Sequence, residues 1–351
     1  MNVDEIDIRT DKKIGRITLR RPKALNALTH NMCLAIEAAL ESWRNDTTVA
    51  LIVIDAEGER AFCAGGDIAE LYRAGRTGDY EYGRKFWRDE YRMNCKLAEF
   101  PKPIVSLMQG FVMGGGVGVG CHASHRVVGA TTRLAMPECG IGLIPDVGAT
   151  RILAQAPGRL GRYIALTGAQ LGPADAIHAG FADFHIPDER WPAIIEALAQ
   201  TGNVGVLQDE IVDAGSAHTL QSRPEIDALF AGRDVADILK RLENTQSDFA
   251  RSALSAMAKA SPLALASAFA ILDAYNGGGV REALSLEYRF THRSCEHSDF
   301  LEGIRAAIID KDRTPKWRHR SVAELDRTAA FAMLGPLGAA ELTFDQKETV
   351  K

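Results

Sequence analysis

Two carboxylates, Glu138 and Asp146, stand eight residues apart in MPECGIGLIPDVGAT (136–150), a stretch otherwise made of apolar and small residues. An unpaired buried carboxylate costs several kcal/mol, roughly, or takes up a proton instead. Two acids whose environments separate their pKa values can divide acid and base work between them. Pro137, Pro145 and glycines 140, 142 and 148 interrupt the stretch, so a turn or short helix must bring the pair together. The plainer alternative is structural: Glu138 caps a turn and Asp146 starts a helix at Val147.

Two glycine motifs precede this pair. In AFCAGGDI (61–68), small residues around Gly65 and Gly66 let a ligand approach the backbone and leave amide N–H groups unobstructed. A strand-to-helix turn with Asp67 as N-cap explains the same residues. In GFVMGGGVGVG (110–120), three consecutive glycines suit the start of a helix, where free N–H groups favour an anion. Close helix packing is the alternative there. No GxGxxG and no P-loop Lys-Ser/Thr pair can be read in either motif. Taken together, two sources of N–H and an acid pair describe an oxyanion hole serving a carbonyl substrate.

Composition sets the limits. The chain has 351 residues, 46% hydrophobic and 25% charged, with a net charge of −5, which suits a globular protein and argues against nucleic acid or an anionic membrane as partner. Six scattered cysteines without CxxC pairs read as reduced thiols, and the acidic start MNVDEIDIRTDKK resembles neither a secretory signal nor a transit peptide, so a cytoplasmic location is expected. The uncharged run 104–121 reaches the length of a membrane span, but its six glycines and Gln109 fit a strand followed by a tightly packed helix. His122 and His125 form an HxxH without a third ligand nearby, so no metal is expected. Ser106 has no GxSxG elbow around it.

The elements that must hold these motifs alternate over the first 200 residues or so. Strands are predicted at Ile14–Leu19, Ala50–Ile54, Ile104–Met108, Arg126–Val128 and Arg133–Met136, with a helix from Thr29, as N-cap, to Trp43. From about residue 205 helices dominate: Pro224–Phe230, Asp234–Leu242, Ser247–Lys259, Pro262–Tyr275 and Val280–Cys295. The expected class is α/β, with residues 1–205 forming the core and 206–351 a C-terminal helical region.

RPKALNAL (21–28), AFCAGGDI (61–68), GFVMGGGVGVG (110–120) and MPECGIGLIPDVGAT (136–150) together resemble the crotonase (enoyl-CoA hydratase/isomerase) superfamily, over residues 8 to 190 or so. EYRF (287–290) and FLEGIRAAIIDKDRTPKW (300–317) extend the likeness to its 3-hydroxyisobutyryl-CoA hydrolase branch. The resemblance implies a spiral of ββα units that binds acyl-CoA, often as a trimer or hexamer, with CoA as part of the substrate and no separate cofactor. The activity it implies is hydrolysis of 3-hydroxyisobutyryl-CoA, or of the 3-hydroxypropionyl ester, in valine breakdown; hydration or isomerisation of enoyl-CoA is the alternative. By resemblance, Ala64 and Gly115 supply the oxyanion N–H groups and Glu138 and Asp146 are catalytic. Glu90 and Gly66 meet the substrate. Lys23, Ala24 and Leu25 run along the CoA, and Asp67 and Ile68 flank the adenine. Arg21, Lys23 and the group Lys311, Arg313 and Lys316 are candidates for the CoA phosphates. Hydratases place a glutamate where this chain has Gly118, and a glycine where it has Asp146; that exchange fits hydrolysis better than hydration.

Overall fold

The computed structural model describes residues 4–326 and 328–344. A six-stranded sheet runs in the order β1 (Ile6–Asp11), β2 (Ile14–Leu19), β3 (Leu51–Ala56), β5 (Ile104–Met108), β7 (His125–Val128), β9 (Phe184–His185). Its first pair is an antiparallel hairpin and the rest is parallel. A second, three-stranded parallel sheet is made of β4 (Ala61–Cys63), β6 (Phe111–Met113) and β8 (Arg133–Ala135).

The two sheets are threaded by a repeating step. Strands β3, β5 and β7 of the large sheet are each followed directly by a short strand of the small one, β4, β6 and β8. After the short strand comes a helical segment: Ile68–Arg76, Gly115–Gly120, then a single 3-10 turn at Glu138–Ile141. This is the ββα spiral that the resemblance implied. The uncharged run 104–121 is divided among β5, β6 and a six-residue helix. Among the described residues no single helix is long and apolar enough to cross a membrane.

The large sheet is covered on both faces, which is why its inner strands read as unbroken apolar runs. Alternate residues serve the two sides. Ile52 and Ile54 join the main core, while Leu51 and Val53 face a smaller one closed by Trp191, Ile194 and Leu198 of the helix Trp191–Thr201. The main core continues into the C-terminal helices through Phe230, Leu265, Phe290 and Phe300.

Most predicted elements recur with ends moved by a residue or two. Thr29, Asp234, Ser247 and Ser261 each accept a hydrogen bond from the first turn of the helix they precede. Asp67 stands at the start of its helix without capping it, because its carboxylate is paired with Arg21 instead. No helix starts at Val147: it is left-handed (φ 56°), and the helix begins at Ala149. The long helix Tyr80–Ala98 was not predicted. Asp89, Glu90, Arg92 and Asn94 are all buried in it, so polarity hides its inward face. Asp89 and Arg92 are buried as ion pairs, with each other and with Lys85 and Glu37, and Asp89 also hydrogen-bonds His30.

Candidate active site

Strands β4, β6 and β8 are parallel neighbours, so the chain leaves all three at the same edge of the small sheet. Neighbouring strands lie about 4.8 Å apart. The three exits are residues 64–68, 114–116 and 137–138, the three sequence motifs. Motifs more than twenty residues apart are thereby brought to one cleft of about 150 Å³, lined among others by Ala64, Gly66, Ile68, Glu90, Gly115, Glu138 and Asp146.

The N–H groups there differ from expectation at one position. Ala64 N–H donates to Leu25 O at 3.0 Å, so it is engaged and cannot also receive an oxyanion. An N–H left unengaged at this turn is that of Gly66. Leu28 N–H donates to Gly65 O and Asp67 N–H to Leu28 O, both at 2.8 Å, forming a parallel bridge between Leu28 and Gly66. In such a bridge the flanking peptides bond the partner, and the central residue's own N–H points the opposite way. Gly66 N lies 3.4 Å from where a Cβ on Gly115 would stand. Gly115 opens the helix Gly115–Gly120, where the first N–H groups have no intrahelical acceptor. Neither N–H donates to any described residue. Gly116 is required for another reason: a Cβ there would fall 2.2 Å from Cys63 O, so the helix can seat on β4 only without a side chain.

The acids are buried. Glu138 begins the 3-10 turn, and its Oε2 has no hydrogen-bond partner. Burial, then the nearby Asp146, pushes its carboxyl well above the usual range. Glu90 is pushed up for the same two reasons, in the same order. Asp146 is raised to about 7 by burial; the Tyr91 hydroxyl, which donates to its Oδ2 at 2.6 Å, works against the rise. Three buried carboxyls so close together titrate as a coupled group.

A fourth acid, Glu287, was noted in EYRF but not assigned to the site. It accepts from Gly148 N–H (2.7 Å) and Thr150 N–H (2.9 Å) directly behind Asp146, and burial raises it to about 8. Tyr91 was missed too, along with the cleft residues Trp87 and Phe300. A helical reading of 80–98 puts 87, 90, 91 and 94 on one stripe, the spacing that would have found Tyr91.

Gly118 is closed to any side chain. A Cβ there would lie 2.7 Å from Asn94 Nδ2 and 2.8 Å from Val147 Cβ. The remaining predicted residues lie outside the lining. Lys23 and Ala24 belong to a 3-10 turn at Pro22–Ala24, followed by a left-handed Leu25 whose carbonyl anchors Ala64. Arg21 pairs with Glu5 (3.1 Å) and Asp67 (2.9 Å). Lys311 and Arg313 are exposed. His122 is buried and donates through Nε2 to Val147 O at 2.7 Å. All six cysteines are free and buried.

A family model described as enoyl-CoA hydratase/isomerase matches residues 14–334. The zebrafish (Danio rerio) protein named 3-hydroxyisobutyryl-CoA hydrolase, mitochondrial, is 38% identical over 322 residues, covering 89% of this chain and 84% of its own. Its human (Homo sapiens) namesake is 35% identical over 341 residues, covering 94% and 88%. Among solved structures, one named as an enoyl-CoA hydratase from Rhodobacter sphaeroides 2.4.1 is 55% identical with a TM-score of 0.93, covering 97% of this chain and 100% of that one. Another, named as a carnitinyl-CoA dehydratase from Mycobacterium thermoresistibile, is 38% identical with a TM-score of 0.93, covering 98% and 100%.

Proposed function

The chain belongs to the enoyl-CoA hydratase/isomerase family, and we propose that within it the protein is an acyl-CoA thioesterase. It hydrolyses 3-hydroxyisobutyryl-CoA to the free hydroxy acid and CoA; the 3-hydroxypropionyl ester, shorter by one methyl, is a second substrate. The observation that carries this reading is Gly118. Asn94 and Val147 fill the space where a hydratase's first glutamate would stand, while Glu138 and Asp146 open onto the same cleft as the Gly66 and Gly115 N–H groups.

In the proposed reaction the thioester carbonyl oxygen lies against the N–H groups of Gly66 and Gly115. Attack on the carbonyl carbon places negative charge on that oxygen, and two aligned donors stabilise it more than they stabilise the ground-state carbonyl. Glu138, with one oxygen free of any partner, either takes the proton from an attacking water or attacks directly to form an anhydride that water then opens. The C–S bond breaks and CoA leaves as the thiolate and is protonated; the acid product takes its second oxygen from water by the general-base route, or from Glu138 when water opens the anhydride at the Glu138 carbonyl. Asp146, held by the Tyr91 hydroxyl, accepts from the substrate 3-hydroxyl or from the water. Glu90 faces the acyl group. Residues 1–205 carry these groups and the helical region closes the cleft through Phe300.

The name of the 55% identical structure favours a second reading, addition of water to an enoyl-CoA. The closed space over Gly118 weighs against it. Thiol release from 3-hydroxyisobutyryl-CoA, run beside the absorbance loss of crotonyl-CoA, separates the two. Thiol release without hydration is expected, reduced about 10²–10⁴-fold in Glu138→Gln. Hydration without thiol release sinks the hydrolase reading. Incorporation of ¹⁸O from labelled water into Glu138 during a single turnover marks the anhydride route; label in the product alone places the attack of water on the acyl carbon.

A further inference from the structure

Six non-glycine residues among those described have positive φ, and Val147 is the only β-branched one (φ 56°). A β-branched residue in this region is a genuine outlier, because its Cβ substituents crowd the backbone. Such strain persists only where the surroundings over-determine it.

The surroundings here hold one peptide unit at both ends. The carbonyl of Val147 accepts from His122 Nε2 at 2.7 Å. The N–H on the other side of the same peptide, that of Gly148, donates to Glu287 Oε2 at 2.7 Å. Both holding groups are buried. Gly148 is itself left-handed (φ 84°), and a Cβ there would lie 2.6 Å from His122 Nε2, so the fit around this peptide is close on that side as well. The second oxygen of Glu287 accepts from Thr150 N–H at 2.9 Å, which fixes the carboxylate's own orientation. Neither His122 nor Glu287 lines the cleft. Asp146 and Val147 both do, and Asp146 is the residue immediately before the held peptide.

We propose that His122 and Glu287 are positioning residues that clamp the Val147–Gly148 peptide, hold Val147 left-handed and thereby aim the Asp146 carboxylate into the cleft. This rests on the reading above that Asp146 serves the reaction. The clamp links three parts of the chain: the segment after the glycine-rich helix, the acid-bearing loop and the C-terminal helix Gly279–His297. It gives EYRF a function in catalysis through Glu287, without contact with substrate.

The test is whether the clamp matters only while residue 147 resists the left-handed conformation. Glu287→Gln keeps the size but turns an amide NH₂ toward one of the two backbone N–H groups. In the full-length protein with Val147, it is expected to lower kcat for 3-hydroxyisobutyryl-CoA about 10²-fold, as an ångström-scale misplacement does, with KM little changed. Glycine adopts φ > 0 without penalty. In a Val147→Gly background the same substitution is therefore expected to cost less than about threefold, the difference being the coupling between the two positions. His122→Phe, which removes the other half of the clamp, is expected to show the same dependence on background, and it carries the test if Glu287→Gln does not fold. Equal losses in both backgrounds overturn the clamp, because a purely structural role does not depend on residue 147. If Asp146→Asn leaves kcat unchanged, the catalytic reading of Asp146 has failed, and the crystal structure of Glu287→Gln then judges the clamp by itself. A residue 147 relaxed to negative φ upholds it; an unchanged φ overturns it.

Discussion

Asp146 shows one hydrogen bond working against burial. Burial raises its carboxyl to about 7, and the Tyr91 hydroxyl opposes that rise. If the anion of Asp146 is the working form, kcat/KM rises with pH through about 7. Tyr91→Phe removes the lowering contribution, so the limb is expected at higher pH; a limb that stays in place would detach it from Asp146. Stability runs the other way. The folded protein holds the Asp146 proton up to about 7, whereas an unfolded aspartate releases it near 3.9. Folding binds protons between those values, so stability falls as pH rises across that window and is level above it. Asp146→Asn, freed from burying the charge, is expected to be more stable than the parent by about 1–4 kcal/mol at pH 8, at 1.36 kcal/mol per pH unit less any weakening of the Tyr91 bond. The gap should close near pH 4, and urea melts at the two pH values measure it.

At the level of elements, the short helix Gly115–Gly120 is defined by what it cannot carry. Gly116 lies against β4, and Gly118 faces the amide of Asn94 and the side chain of Val147. Restoring a hydratase-like acid by Gly118→Glu is therefore expected to destabilise by about 1–3 kcal/mol or more through overpacking, without creating crotonyl-CoA hydration. Thermal melting and the absorbance assay read the two effects separately. A stable variant that hydrates crotonyl-CoA would show that the helix and the 146–148 loop yield to the side chain. In this chain the backbone turn that carries Asp146 also lays Val147 over Gly118.

For the whole molecule, the C-terminal region is structural to the cleft. Phe230, Tyr288, Phe290 and Phe300 are fully buried, and Phe300 lines the cleft itself. Glu287 satisfies two backbone N–H groups of the acid-bearing loop and the following helix. Ending the chain after residue 205 would expose the apolar partners of these side chains, each contributing about 1.5–3 kcal/mol. Set against a typical total of about 5–15 kcal/mol, that loss is expected to abolish cooperative folding. Circular dichroism of the 1–205 fragment should show no sharp thermal transition; a cooperative melt would mean that the spiral holds its own core.

Read without the structure, the sequence determined the α/β class, several of its strands, most of its C-terminal helices and the three motifs that meet. Those properties reside in local signals: β-branched runs bounded by turn formers, caps such as Thr29 and Ser261, and glycines that no other residue can replace. Local signals also singled out Glu138 and Asp146, since two acids in an apolar stretch are anomalous wherever they occur. Only the tertiary structure decided which N–H groups stay free. Ala64 and Gly66 are alike in sequence, and the difference between them is that Leu25, from a distant turn, occupies one and leaves the other open. The helix Tyr80–Ala98 and the part played by Glu287 were hidden for a related reason. Polar residues such as Asp89, Glu90 and Arg92 share the buried positions of the helix with apolar ones, and Glu287 is held by backbone N–H groups across the fold, so hydrophobic periodicity does not mark them. A partner's identity is a property of the packed chain, and spacing along the sequence carries no record of it.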